Sequence, residues 1–249
     1  MKKRLLILGG TGDAVEVAAR ASQIADIEVI SSLAGRTKQP LTPKTGMVRI
    51  GGFGGAAGLA EFLRCSPIDF LIDATHPFAA QISANAAVAA TECHVPHLML
   101  VRPAWEAVEG DRWIEAASHS EAARALSGHS QRVFLTIGRQ ELTQFAGLEG
   151  VWCLMRAIDP PAENTLVPHG ELLLARGPFS LADERQLLLE YQIDTIVSKN
   201  SGGAATYPKI IAARELGIPV VMVQRTPIPN VEQVTDVTGA IDWLIQQMK

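Results

Sequence analysis

Cysteine is scarce in this chain. Cys65, Cys93 and Cys153 are odd in number, far apart and form no CxxC pair. Neither a disulfide framework nor a zinc site is expected, and buried free thiols in a reducing compartment are the reading. Long apolar runs are missing as well. Nothing approaches the roughly 18 residues of a membrane span. Behind the basic start MKKR, the apolar stretch covers only Leu5 to Leu8 before a Gly-Gly pair, too short for the core of a signal peptide. A cytoplasmic protein away from the membrane is expected. There is no cationic excess: 22 Lys and Arg stand against 26 Asp and Glu, a net charge of −4. That excludes a general nucleic-acid binder, which needs surplus Lys and Arg for phosphates. Local basic clusters still suit an anionic small molecule.

Several signatures of familiar chemistry are also lacking. The chain has no YxxxK, GxSxG, GxxxxGK[ST] or HExxH, and His94, His97, His119, His129 and His169 show no metal-ligand spacing. No metal site is expected. A nicotinamide enzyme remains compatible with these absences, because such a cofactor carries the hard chemistry and asks the protein mainly for position and electrostatics.

What is present is an α/β alternation. The 249 residues are 47% hydrophobic, enough for one large or two small domains. KRLLILG, IEVISS, MVRIGG, PIDFLIDAT and PHLMLVRP read as strands, separated by the helices GDAVEVAARAS, GLAEFLRC and AAQISANAAVAATECH. Residues 103–110 read as a connector packed down by Trp105. The alternation then restarts with WIEAA, RVFLTIG, VWCLMRAI, IDTIVSKN and IPVVMVQR as strands and GELLLARG as a strand or extended loop. SEAARALSG, ELTQFAG, ADERQLLLEYQ, PKIIAARELG and VTGAIDWLIQQM read as helices. The expectation is α/β with two parallel-sheet halves, 1–102 and 103–249, the last helix packing back on either half; a single large sheet is the alternative.

In LLILGGTGDAVEVA, Gly9, Gly10 and Gly12 lie between a strand and a helix. Glycines there let the backbone approach a phosphate, while the helix N-terminus adds free N–H groups and the positive dipole end. The spacing is GGxG, with Val15 in the place of the third glycine of GxGxxG. Asp13 suits the first helical turn, or touches a ribose or bridging water. An acid normally follows about 20 residues later, at the end of the second strand, to bind the ribose 2′-hydroxyl of NAD. ISSLAGRT, residues 30–37, has none. Ser31 or Ser32 offers a hydroxyl, and Arg36 a two-pronged donor for phosphate oxygens. The exchange favours NADP(H) over NAD(H); a solvated loop is the bland alternative.

Other strand ends carry polar groups. RIGGFGG supplies Gly51 and Gly52, which leave room for a flat ring or a pyrophosphate, or else form a flexible loop. LIDATHPFA sets Asp73, Thr75, His76 and Pro77 beyond the fourth strand's carboxyl end, where open α/β sheets bind ligands. His76 reads as a proton donor or a wall, and Asp73 and Thr75 as turn formers or direct participants. In the second half, LTIGRQEL (Thr136, Gly138, Arg139), ARGPF (Arg176, Gly177) and VSKNSGG (Lys199, Asn200, Ser201, Gly202, Gly203) each end an apolar run with a cation or backbone amides. If these ends face the first half across a cleft, they make a basic pocket for a polycarboxylate.

Taken in order, LLILGGTGDA, SLAGRT, VRIGGFGG, IDATHPFA, LTIGRQEL, RGPF and KNSGG resemble the precorrin-6A reductase family of corrin biosynthesis, from about residue 5 to residue 225. The resemblance implies two Rossmann-like domains with the active site in the cleft between them, the first binding NADP and the second the substrate. It implies hydride transfer from NADPH to precorrin-6A, or to its cobalt-bearing counterpart, to give the dihydro product. By motif, Thr11, Gly12, Ser32, Gly35, Arg36 and Thr37 would hold NADP, with Leu33 and Ala34 in the same loop. Asp73, Ala74, Thr75, His76, Pro77 and Phe78 would line the nicotinamide end, His76 and Asp73 being the candidate catalytic pair. Arg139, Arg176, Lys199 and Ser201, with Asn200 and Gly202 beside them, would meet the macrocycle's acetate and propionate groups. Transient handover to neighbouring corrin-pathway enzymes is a further expectation. Three alternatives stand: a cobalt-precorrin-6A reductase using NADH, a non-catalytic NADP-binding redox sensor, and a sugar transferase with two facing halves.

Overall fold

The computed structural model describes residues 2–35, 37, 40–126 and 128–249. Runs such as LLIL and FLID, apolar at every position, form strands buried on both faces, as parallel sheets demand. The chain begins β1 (Lys3–Leu8), α1 (Gly12–Ala21), β2 (Ile27–Leu33), β3 (Met47–Ile50), α2 (Gly55–Cys65), β4 (Phe70–Asp73), α3 (Ala80–Cys93) and β5 (His97–Leu100). It continues with β6 (Trp113–Ala116), α4 (His119–Leu126), β7 (Arg132–Thr136), β8 (Trp152–Ala157), β9 (Gly170–Leu174), α5 (Leu181–Glu190), β10 (Thr195–Lys199), α6 (Pro208–Leu216) and β11 (Val220–Val223). It closes with β12 (Glu232–Val234) and α7 (Val237–Gln247).

Two six-stranded sheets result, ordered β12-β5-β4-β1-β2-β3 and β6-β11-β10-β7-β8-β9. Every strand pair is parallel. Each belongs to its own compact unit, Met1–Pro103 with Pro227–Lys249 in one and Ala104–Thr226 in the other. In the first unit, alternate residues of one strand serve opposite faces. Leu5, Ile7 and Ile72 pack with Val17 of α1 and with Trp243 and Leu244 of α7. Leu6, Leu8 and Leu71 pack with Leu59 and Leu63 of α2 and the alanines of α3. The second unit centres on Phe134, Leu154, Ile196 and Ile210. Among the described residues, no helix is long and apolar enough to cross a membrane.

Two expectations are corrected. The expected second half ran from 103 to 249, yet the last segment returns to the first unit. There β12 pairs with β5, and Trp243 Nε1 donates to Glu232 Oε2 at 2.8 Å while its ring meets Phe70 edge-on. The burial of this tryptophan against the first sheet decides the tail's allegiance. ELTQFAG, expected as a helix, makes only a single 3-10 turn at Leu142–Phe145. Leu142 and Phe145 are both buried at a spacing of three, which one such turn satisfies.

The thiols differ in what they can do. Cys65 is exposed, Cys93 half-buried and Cys153 buried. Burial pushes the Cys153 thiol up to about 12, and the thiolate is the reactive form. At neutral pH a chromogenic disulfide reagent should therefore titrate one thiol rapidly and leave Cys153 silent until the protein is unfolded. Cys65→Ser should remove the rapid phase; a rapid phase that survives it would contradict this assignment.

Candidate functional site

In the first sheet the strand order reverses between β1 and β4, the place where ligands bind in open α/β folds. Thr11 spans it. Its hydroxyl caps α1 by accepting from Ala14 N at 3.1 Å and donates to Ala74 O at 2.7 Å, at the end of β4. One threonine thus ties the glycine turn to the start of the ATHP segment. Gly10 holds φ +110°, which L side chains rarely adopt, and a Cβ at Gly10 or Gly12 would find no protein atom within 4 Å. Both residues are exposed. The first-turn amides of α1 have no carbonyl to serve within the helix, so the turn offers donors and open space together.

Around this turn sits a small pocket lined by Gly9, Gly10, Ser31, Leu33, Leu41 and Pro43. Ser31 is 2% exposed, and its Oγ has no hydrogen-bond partner among the described residues. An open glycine turn, a helix N-terminus and a buried unsatisfied hydroxyl fit the phosphates and ribose of a dinucleotide. Arg36, central to the cofactor expectation, lies outside the described residues; its neighbours Ala34 and Gly35 are exposed and Thr37 half-buried. Asp13 stands in the first turn of α1 and pairs with Arg102 of the same unit at 3.3 Å.

The ends of β2 and β3 are adjacent, Ser32 lying in register with Arg49 and Leu33 with Ile50. The SLAG and RIGG segments therefore meet. Arg49 reaches Ser32 Oγ at 3.4 Å, donates to Gly51 O and Gly52 O, and lies 3.8 Å over the Phe53 ring. The sequence reading passed over this arginine, although it stands at a strand end before glycines as the other singled-out cations do.

At the end of β4, Asp73 is 1% exposed, and its Oδ1 accepts from Thr75 N at 3.0 Å and Thr75 Oγ1 at 2.6 Å. The carboxylate thereby shapes the ATHP turn. Phe78 N donates to His76 Nδ1 at 3.2 Å, which assigns the proton of a neutral ring to Nε2. Below them, burial pushes the His97 imidazole down, the Asp73 charge opposing.

In the second unit, Lys199 ends β10 close to Gly138 and Glu141. A Cβ on Gly138 would stand 2.3 Å from Glu141 Oε2 and 3.4 Å from Lys199 Nζ, so the glycine makes room for both groups. Burial pushes the Lys199 ammonium down, with Glu141 opposing. Arg139 donates to Pro160 O at 3.0 Å and lies 4.0 Å from Asp159. Arg176 and Ser201 are half-buried. Asn200, expected beside the substrate, is held by the connector. It is 3% exposed, accepts from Trp105 N at 2.8 Å and donates to Trp105 O at 3.0 Å, so its amide clamps the connector. Gly202 is buried as well and holds φ +66°.

Behind these strand ends lies a buried charge cluster that sequence reasoning missed. Arg156 and Glu184 pair at 2.5 Å, their side chains 7% and 1% exposed. Lys209, 3% exposed, donates to Thr206 O at 2.8 Å and sits 4.9 Å from the Trp105 ring. Burial, reinforced by Arg156, pushes its ammonium down to about 7.

A family model described as precorrin-6x reductase CbiJ/CobK matches residues 4–245. A precorrin-6A reductase of Rhodococcus erythropolis is 53% identical over 97% of this chain and 97% of its own. A cobalt-precorrin-6A reductase of Methanothermobacter thermautotrophicus is 30% identical over 93% of this chain and 79% of its own. Among solved structures, CobK precorrin-6A reductase superposes with a TM-score of 0.92 at 39% identity, covering 98% of this chain and 97% of its own.

Proposed function

Because the chain belongs to the precorrin-6x reductase family, we propose that it reduces precorrin-6A to the dihydro product, precorrin-6B, with NADPH as reductant, in the cytoplasm. The observation that carries the cofactor half of this reading is the site around Thr11 and Ser31: an open glycine turn, a helix N-terminus and a second strand that ends in serines without an acid. The metal-free substrate is favoured by the higher identity to the relative named precorrin-6A reductase, 53% against 30% for the cobalt-precorrin enzyme.

When bound, the nicotinamide nucleotide supplies the hydride, and the dihydro product requires one proton in addition. The chain's own residues do the rest. α1 presents first-turn amides and its positive dipole end to the phosphates, and Thr11 fixes that turn against Ala74. Ser31, Ser32 and Arg36 receive the adenosine end. Asp73 and Thr75 hold the ATHP turn in place, and His76 keeps a proton on Nε2 that it can give up at the nicotinamide end. Lys199, Arg139 and Arg176 supply positive charge for acetate and propionate groups. Charge that develops on the conjugated macrocycle is spread over many atoms, so a strong protein acid is not required.

Anaerobic incubation with precorrin-6A and NADPH tests the reading. The near-ultraviolet absorbance of NADPH should fall while the macrocycle gains two hydrogens by mass. Arg36→Ala should weaken NADPH by about 10- to 100-fold and NADH far less, the size of a lost charge-assisted contact. Tight NADPH binding without turnover would favour the redox sensor instead, and equal loss of both nucleotides would count against the 2′-phosphate assignment.

A further inference from the structure

We propose that Arg49 is a specificity-determining residue for the reductant, donating to the 2′-phosphate that distinguishes NADPH from NADH; the inference rests on the NADPH reading above. Three observations carry it. First, position: Arg49 pairs in register with Ser32 at the end of β2, and Gly51 N donates to Leu33 O at 2.8 Å, so the arginine is fixed beside the segment where an acid would otherwise read the ribose. Second, charge: among the described residues no carboxylate lies within ion-pair distance of Arg49, whereas Arg102 has Asp13, Arg139 has Asp159 and Arg156 has Glu184. A half-buried guanidinium whose neighbours are a hydroxyl, two carbonyls and aromatic rings keeps its full positive charge for an anion from outside.

Third, shape. The hydrogen bonds of Arg49 to Ser32, Gly51 and Gly52 use only Nη1 and Nη2, leaving Nε–H and one Nη2–H in the plane of the fork. One face of that plane is held 3.8 Å over Phe53, with Phe62 at 5.4 Å. Stacking of this kind fixes a guanidinium in advance, so little freedom is lost when it meets a phosphate. The contact to Ser32 Oγ couples the arginine to the serine that stands in place of the usual acid.

Calorimetric titration with 2′,5′-ADP and with 5′-AMP separates this role from a purely structural one. The wild-type protein should prefer 2′,5′-ADP. Arg49→Gln should lose about 10- to 100-fold in affinity for 2′,5′-ADP and less than about threefold for 5′-AMP. Arg49→Lys, which keeps the charge but not the fork, should fall between, again for 2′,5′-ADP selectively. An equal loss for both ligands, or for neither, in the variants that fold would overturn the role and leave Arg49 a brace for the glycine turn. A wild-type protein that does not distinguish the two ligands would instead remove the NADPH reading on which the inference stands.

Discussion

Glu184→Leu is expected to destabilise the protein by about 3–5 kcal/mol, the usual cost of stranding one partner of a buried ion pair. Glu184 and Arg156 are both almost wholly buried, with Phe179 3.7 Å from the guanidinium. Lys209 lies in the same interior, its ammonium already pushed down by burial and by Arg156 and drawn back up by Glu184. Removing Glu184 leaves the buried Arg156 guanidinium without its partner and pushes the Lys209 ammonium further down. The double variant Glu184→Leu/Arg156→Met should recover most of the loss, because an apolar pair of similar volume often matches a buried ion pair. Urea unfolding of the three proteins measures both effects. A single variant that loses less than about 1 kcal/mol, within the range of an exposed pair, would show that water reaches this cluster.

Gly12→Ala should do the reverse: spare the fold and harm the function. Gly12 opens α1 without a left-handed φ, and an added Cβ meets no protein atom within 4 Å. Alanine at a first helical position is expected to leave stability unchanged or raise it by about 0.4–1 kcal/mol. The methyl group would nonetheless occupy the space through which a pyrophosphate approaches the turn. NADPH affinity should fall by about 100-fold, which is about 2.7 kcal/mol, while the melting temperature holds. Gly58 marks the contrast, since a Cβ there would land 1.8 Å from Phe53 O. Wild-type NADPH affinity in Gly12→Ala would place the pyrophosphate elsewhere.

Local chemistry explains what the sequence made legible. The strands of both cores announce themselves by apolar runs bounded by glycine and proline, and the glycine turn after β1 by three glycines and a threonine at fixed offsets. β12 gave no such signal. Its three residues, EQV, join the sheet edge through backbone pairing with β5, and the segment's place is decided by Trp243 farther along. The surroundings of Asn200 were hidden for a similar reason: KNSGG reads locally as an anion nest, and the amide's bond to Trp105 reaches 95 positions along the chain. Lys209 sits in PKIIAAREL, where a lysine near a helix start reads as solvated; only the fold closes Trp105 over it. Arg49 was visible and unassigned, because its meaning depends on register with Ser32, a relation between two strands.

The return of Pro227–Lys249 to the first sheet has a consequence for synthesis. A ribosome delivers the whole of Ala104–Thr226 before β12 and α7 emerge, so the unit begun first is finished second. Until then the edge of β5 stays open, and Leu98, Leu100 and Phe70 lack the cover of Trp243 and Leu244. An open strand edge beside bare apolar surface invites association with other nascent chains. The first unit is thus the part of this protein most dependent on protection during translation.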